Sequence, residues 1–145
     1  MSAPRWEVAP ATVADIPELM RVRHSVRENR LSDPSKVSPD DVREMLERRG
    51  HGWVVRDGER VLGFAIADRL AANIWALFVE PDAEGRGIGR ALHDTMLAWL
   101  AANACDAVTL TTAPGTRAER FYRVAGWRCT GTTASGELAF VRPTR

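Results

Sequence analysis

The chain has 145 residues, of which 45% are hydrophobic and 27% charged, a balance that predicts one globular domain over residues 1–145 and excludes a disordered chain. Its 20 basic and 19 acidic side chains leave a net charge of +1, which argues against bulk binding of nucleic acid or of a membrane surface. Two cysteines are too few for a metal knuckle or a disulfide framework, and no stretch approaches a membrane span, so we expect a cytoplasmic protein without a metal.

The first half of the chain predicts a short strand, two helices and a hairpin. Thr12 and Asp15 have the spacing of a capping box at the start of the first helix. The pair Asp57-Gly58 between two β-type runs is a strong hairpin signal. The predicted elements are a strand at Arg5–Ala9, a helix from Thr12 to about Asn29, a helix from Ser38 or Pro39 to Gly50, and strands at Gly52–Arg56 and Arg60–Asp68.

The second half predicts a long helix between strands. Apolar side chains recur every four residues from Ile88 to Leu100, as on one face of an amphipathic helix. The predicted elements are a strand at Asn73–Glu80 buried on both faces, a helix at Ile88–Ala102, a strand at Ala107–Thr112, a helix at Thr116–Val124 and a hairpin of Trp127–Thr132 and Glu137–Arg142. The order β α α β β β α β α β β predicts an α/β (α+β) fold, a mixed sheet with helices on both faces.

A glycine-rich turn joins the strand ending at Glu80 to the helix that begins at Ile88. Its sequence, E-G-R-G-I-G at Glu84–Gly89, places a glycine at every second position, where no Cβ atom keeps a ligand from the backbone. The free N–H groups of the first helical turn and the helix dipole favour an anion there, and Arg86 and Arg90 flank the turn. We therefore predict a phosphate site, with an empty tight turn as the alternative.

Two other phosphate-binding motifs do not fit. A Rossmann fingerprint needs a third glycine where Leu92 stands, and an acidic residue after a second strand, whereas Asp106 precedes its strand. A Walker A loop needs Gly-Lys-Ser/Thr, and the single lysine, Lys36, lies between Ser35 and Val37.

The glycine-rich turn resembles motif A of the GNAT-type N-acetyltransferases, Gln/Arg-x-x-Gly-x-Gly/Ala. Gly87 and Gly89 match its glycines, while Glu84 departs from its Gln/Arg place. A second segment, A-E-R-F-Y-R-V-A-G-W at Ala118–Trp127, resembles motif B of that family, Asn-x-x-Ala-x-x-Phe-Tyr-x-x-x-Gly-Phe. Gly115 departs from the Asn place. The resemblance covers essentially the whole chain and implies a central mixed, mostly antiparallel sheet flanked by helices.

The resemblance also implies a binding site for acetyl-CoA as co-substrate, in a V-shaped gap between the strands at Ile74–Glu80 and Ala107–Thr112. The pantetheine arm would pair with backbone near Leu77 and Val79, and a main-chain N–H there would polarise the thioester carbonyl. The pyrophosphate would lie on the N–H groups of the glycine-rich turn. The implied cofactor-binding residues are Leu77, Phe78, Val79, Gly85, Arg86, Gly87, Ile88, Gly89, Arg90 and Ala91.

The same resemblance places Tyr122, the single tyrosine, as general acid for the departing thiolate, with packing beside Phe121 as the alternative. The general base stays open. Glu80 at the end of the central strand is the first candidate; Glu28, His24, His51, His93 and a water chain are the others.

The acceptor is predicted to be a primary amine, whose identity the sequence leaves open. Glu28 and Asn29, at the end of the first helix, and Trp75 are the candidate acceptor-site residues, and Trp75 is equally a packing residue. Arg21, Arg23, Arg27 and Arg30 resemble a solvated helix surface, of which one member could bind an acceptor carboxylate. The last hairpin is a candidate surface for a homodimer.

Two further functions stay in view. Glu84 and Gly115 give weight to a CoA-binding sensor without turnover, whereas Tyr122 argues for an enzyme. An oxidoreductase would require binding of NAD. A direct transfer in a ternary complex is favoured, because neither Cys105 nor Cys129 lies in a motif position suited to a covalent acyl carrier.

Overall fold

The computed structural model describes residues 6–26 and 37–145. Seven strands form one sheet: β1 Val8–Pro10, β2 Gly50–Asp57, β3 Arg60–Asp68, β4 Asn73–Val79, β5 Ala107–Thr112, β6 Arg128–Thr132 and β7 Leu138–Pro143. Their order across the sheet is β1-β2-β3-β4-β5-β7-β6. Every neighbouring pair is antiparallel except β4 and β5, so the prediction of a mixed, mostly antiparallel sheet is confirmed.

Helices cover both faces of this sheet, as predicted. They are α1 Ile16–Ser25, α2 Pro39–Glu44, α3 Ile88–Ala102 and α4 Arg117–Val124, with a 3-10 turn at Val13–Asp15 and a π-helical turn at Met45–Arg49. The apolar stripe of α3 packs on one face with Leu110, Tyr122 and Phe140. The inner side of α1 and α2 packs on the other face, against Phe64 and Ile66 of β3. The sheet therefore separates two apolar clusters, one under each layer of helices.

Local sequence signals placed most of these elements correctly. The observed bounds of β3, α3 and β5 equal the predicted ones. The predicted capping box is present, with the Thr12 N–H donating to the Asp15 carboxylate at 2.8 Å, and the structure shows a second cap at α2, where Ser38 Oγ accepts from the Asp41 N–H at 3.1 Å. These bonds satisfy N–H groups that the helices themselves leave unpaired.

Most other predicted boundaries shift by one or two residues, and two of the changes have a clear local cause. α1 ends at Ser25, before the predicted end near Asn29, because Val26 has an extended backbone with φ −86° and ψ 110°. β1 begins at Val8 and includes Pro10, which pairs with Trp53 at the sheet edge, where a missing N–H costs least. Glu28, Asn29, Arg27 and Arg30 lie outside the described residues.

The strand β4 differs from its predicted burial. Ile74 and Ala76 are buried, but Leu77, Phe78 and Val79 are only half-buried. The reason is that β4 pairs with β3 along one edge, whereas its other edge borders an open cleft beyond the single pair with β5. No helix in residues 6–26 and 37–145 is long and apolar enough to cross a membrane.

Candidate functional site

The site begins where β4 and β5 separate. These parallel strands share one residue pair, Asn73 with Thr109. The Thr109 N–H donates to the Ala72 carbonyl at 3.1 Å, and the Asn73 side-chain amide donates to the Thr109 carbonyl at 3.1 Å. Beyond this junction a cleft of about 690 Å³ lies between the two strands. The predicted V-shaped gap is therefore present, at a size suited to a small-molecule ligand.

A β-bulge explains why β4 leaves β5. Ala76 pairs with Ile66 of β3 and Ile74 pairs with Ala67, so Trp75 is an extra residue on the β4 side. A bulge bends its strand and increases the local twist. Trp75 and Ala76 consequently both pack toward the α1 side of the sheet. The edge of β4 that faces the cleft has no strand partner in the described chain beyond Asn73.

Most of the predicted cofactor-binding residues line this cleft, and so do two other predicted site residues, Trp75 and Tyr122. The cofactor-binding residues on the cleft wall are Leu77, Phe78, Val79, Gly85, Gly87, Ile88, Gly89 and Arg90. Arg86 and Ala91 lie outside the lining, and Arg86 is exposed to solvent.

The glycine-rich turn has the backbone geometry of an anion cradle. Gly85 and Gly87 have φ of +80° and +83°, a left-handed conformation that favours glycine, and a Cβ at either would meet nothing within 4 Å. The first helical hydrogen bond runs from the Ala91 N–H to the Gly87 carbonyl at 3.1 Å. The N–H groups of Ile88, Gly89 and Arg90 precede it and have no acceptor among the described residues. They fit a phosphate group at the start of a 15-residue helix.

Tyr122 lies at the base of the cleft, on α4. Its side chain is buried, with Trp127 and Phe121 at ring-centroid distances of 5.6 and 5.3 Å. Its hydroxyl makes no hydrogen bond with any described residue. Burial raises the pKa of Tyr122 above its ordinary value, so the phenol keeps its proton at neutral pH.

Glu80 has a different setting from the one that a general base requires. Its carboxylate is buried and accepts hydrogen bonds from Arg60, at 3.0 Å from Nε to Oε2, and from Arg21 at 3.2 Å. The Arg60 hydrogen bond, followed by Arg21, holds the pKa of Glu80 below its ordinary value. Glu80 is also absent from the lining of the cleft. This setting favours a structural ion pair over the proton-accepting role expected from the sequence.

The histidines named as alternative bases also lie apart from the cleft. His93 is buried, its Nε2 accepts from the Trp127 indole N–H at 3.0 Å, and its Nδ1 lies 2.8 Å from Asp94. Burial lowers the pKa of His93, and its neutral ring joins Trp127 to the Asp94 carboxylate that also contacts Arg90. His51 stacks on Trp99, and His24 is exposed.

The two departures from the family motifs both have structural explanations. Glu84 forms an ion pair with Arg117 of α4 at 3.4 Å, and both residues line the cleft. Gly115 has φ of +75°, a left-handed conformation that asparagine adopts more readily than most side chains and glycine more readily still. Its N–H donates to Glu119 at 2.7 Å, so glycine in the asparagine place keeps the turn that begins α4.

The sequence reasoning did not single out two charged residues of the cleft. Arg23 of α1 reaches the cleft beside Trp75 and Phe78, whereas the sequence showed only one arginine among four. Glu137, just before β7, lines the cleft and makes no ion pair with the part of the chain that is described. Only the tertiary structure brings these residues to β4, so no local signal identified them.

Comparison with known proteins gives the family. The model of the acetyltransferase (GNAT) family matches residues 16–127. The chain belongs to the GNAT acetyltransferase family. The glycine-rich turn, β4 and Tyr122 lie within the matched range, whereas Glu137 of the cleft lies beyond it. No curated protein sequence matches the chain.

Solved structures of GNAT proteins share the fold. The chain is similar to the PaiA N-acetyltransferase of Thermoplasma acidophilum in complex with coenzyme A, with 17% identity, 99% of each chain covered and a TM-score of 0.80. It is similar to a GCN5-related N-acetyltransferase of Kribbella flavida, with 23% identity, 96% and 98% covered and a TM-score of 0.77. It is also similar to the ribosomal-protein-S18-alanine N-acetyltransferase of Escherichia coli, with 15% identity, 96% and 94% covered and a TM-score of 0.76. At these identities the likeness establishes the GNAT fold.

Proposed function

We propose that the protein transfers the acetyl group of acetyl-CoA to a primary amine, by direct attack in a ternary complex and as a single cytoplasmic domain over residues 1–145. The observation that carries the proposal is one continuous cleft. Its wall includes the glycine-rich turn, the edge of β4 and Tyr122. The N–H groups of the turn, the unpaired strand edge and the phenol together suit the binding of a CoA thioester and the transfer of its acyl group.

Each part of acetyl-CoA has a matching part of the cleft. The pyrophosphate suits the free N–H groups of Ile88, Gly89 and Arg90, and the Arg90 side chain beside them adds positive charge. The pantetheine arm carries amide groups, which suit the unpaired edge of β4 near Leu77 and Val79, as in the addition of a strand to a sheet.

The chemistry then needs two functions from the chain. A main-chain N–H of β4 near Phe78 would donate to the thioester oxygen as negative charge develops there. The amine nitrogen forms its bond to the carbonyl carbon, the carbon–sulfur bond breaks, and the departing sulfur takes the Tyr122 hydroxyl proton. The proton that the nitrogen loses as it becomes an amide returns through water to the Tyr122 oxygen. Burial keeps the free hydroxyl protonated at neutral pH and also makes it a weaker acid, so the transfer depends on the negative charge that develops on the sulfur.

The attacking ammonium must first lose a proton. Glu80 is poorly suited, since both of its oxygens accept hydrogen bonds from arginines and its pKa is lowered. A water chain to solvent and the Glu137 carboxylate are the acceptors that the cleft offers.

Release of free thiol from acetyl-CoA, followed over a panel of primary amines, tests the proposal. An acetyltransferase releases thiol in proportion to acetylated amine. Tight acetyl-CoA binding without thiol release on any amine would contradict the proposal and support a CoA-binding sensor. The structure gives the sensor little support, because Glu84 and Gly115 leave the cleft intact.

A further inference from the structure

Arg23 lines the cleft and forms no ion pair with any described residue. Its Nη1 atom is buried and has no hydrogen-bond partner among the described residues. The guanidinium carbon lies 5.0 Å from the centroid of the Phe78 ring and 5.7 Å from that of the Trp75 ring. By contrast, Arg21, two residues earlier on α1, forms ion pairs with Glu18 at 2.7 Å and with Glu80 at 3.2 Å.

Among the described residues, no carboxylate pairs with Arg23. Glu18 and Glu80 are bound to Arg21, and Glu84 is bound to Arg117. Partial burial of a cation costs free energy, which the Trp75 and Phe78 rings beside the guanidinium offset only in part. Burial lowers the pKa of Arg23, yet a guanidinium stays charged in proteins. An anion bound in the cleft would offset this desolvation.

Arg23 lies on the side of the sheet opposite the phosphate turn. Trp75 and Phe78 point to the face that α1 covers, whereas Leu77 and Val79 point to the face of α3. Among the described residues, the cluster on the α1 face contains no residue of β5 to β7, so none of those strands closes the cleft on that face. On the α3 face, Leu110, Tyr122 and Phe140 close it. A second substrate would therefore approach β4 from the α1 face, past Arg23.

The arrangement of the groups around Arg23 favours a carboxylate as the bound anion. The Nη1 atom is shielded, so a ligand in the cleft would meet the other N–H groups of the guanidinium, in the plane that the aromatic rings leave free. Two such donors on one edge match a planar carboxylate in a two-point contact. Glu137, in the segment before β7, also lines the cleft.

We propose that the acceptor is an amine that also carries a carboxylate, as in an amino acid, and that Arg23 binds this carboxylate. The inference rests on the proposed function, since it names the substrate class for the same cleft. The protein should prefer such an acceptor, because an amine without the carboxylate would leave the Arg23 guanidinium without a partner in the cleft.

Matched acceptors test the inference. Thiol release is measured with an amino acid, its amide and its decarboxylated amine at saturating acetyl-CoA. We expect kcat/KM to be about 10- to 100-fold higher for the acid, the effect of one charge-assisted contact. Arg23→Gln should bring the ratio of acid to amide close to one, and Arg23→Lys should keep part of it. The matched control is Arg48→Gln on the exposed π-helical turn, which should keep the wild-type ratio.

Two measurements keep the outcomes distinct. Calorimetric binding of acetyl-CoA to each variant shows that it is folded. Equal kcat/KM for acid and amide in the wild type, or an unchanged ratio in Arg23→Gln, would overturn the inference and leave the proposed function intact. If no amine releases thiol, the proposed function fails, and the binding of acid and amide to the CoA-bound protein is then compared by calorimetry. Tighter binding of the acid than of the amide, with the difference lost in Arg23→Gln, would support the inference. Equal binding of acid and amide would overturn it.

Discussion

His93 and Tyr122, two largely buried residues near the cleft, differ in whether their polar atoms are hydrogen-bonded. His93 uses both ring nitrogens, with Trp127 and Asp94 as partners. The Tyr122 hydroxyl contacts the cleft without a partner in the described chain. A hydroxyl on a cleft wall without a partner in the described chain is available to a ligand, whereas both ring nitrogens of His93 are already in use. This difference supports the role proposed for Tyr122 and a structural role for His93.

Tyr122→Phe should lower kcat by a factor of roughly 10²–10⁴, because the variant has no proton to donate to the leaving sulfur. Stability should change little, since phenylalanine keeps the ring contacts and the lost hydroxyl had no partner among the described residues. Steady-state kinetics and urea unfolding measure the two effects. With an acetyl thioester of a more acidic thiol, the loss should shrink. A near-normal rate with acetyl-CoA would mean that the residue only packs.

Glu80→Gln should reduce stability and spare the chemistry. Arg60 and Arg21 lower the pKa of Glu80 in the folded state, so the pair stabilises the protein above the unfolded pKa and loses its effect as pH falls through the folded pKa. We expect a loss of about 1–3 kcal/mol at pH 7, shrinking toward zero below about pH 4. Urea titrations at both pH values measure it. A large fall in kcat in folded Glu80→Gln would restore Glu80 as the base.

At the scale of elements, local signals predicted what is built locally. The i, i+4 stripe of α3 and the turn between β2 and β3 are set by residues close in sequence. The bulge at Trp75 was not predictable, because it depends on the register with β3. The partners of Glu80 were not predictable either, since Arg60 and Arg21 are 20 and 59 residues away. The glycine-rich turn was predictable because the strand, the glycines and the helix follow one another in the sequence.

Gly89→Val should raise the KM for acetyl-CoA by roughly tenfold or more while α3 stays folded. A Cβ at Gly89 would lie 3.5 Å from Val79 Cγ2, an ordinary contact, so the helix accepts a side chain. That side chain would occupy the cleft beside the free N–H groups that suit the pyrophosphate. Gly89→Ala should give a smaller rise in KM. Ala101→Val, at the far end of the same helix, is the control. An unchanged KM for acetyl-CoA in Gly89→Val would show that the pyrophosphate does not bind at this turn.

At the scale of the molecule, the cleft divides the sheet into two parts. Strands β1 to β4 and strands β5 to β7 share one backbone pair at Asn73 and Thr109. The apolar cluster under α3 contains strand residues of both parts, such as Val55 and Phe140, whereas the described strand residues of the cluster under α1 belong to the first part only. The two parts are therefore joined on one face and open on the other. A ligand between β4 and β5 would add contacts where the sheet has fewest.

Acetyl-CoA at about 100 times its dissociation constant should stabilise the protein by about 2.7 kcal/mol. For a chain of this size, the melting temperature should rise by about 5–10 °C. Amide hydrogen exchange should slow in β4 and in the turn from Gly85 to Ala91, because backbone groups that now face an open cleft would become hydrogen-bonded. Exchange in β2, which already pairs on both sides, should change little. Protection confined to the His51 and Trp99 stack at the other end of α3 would place the ligand outside the cleft, and the proposed site would be wrong.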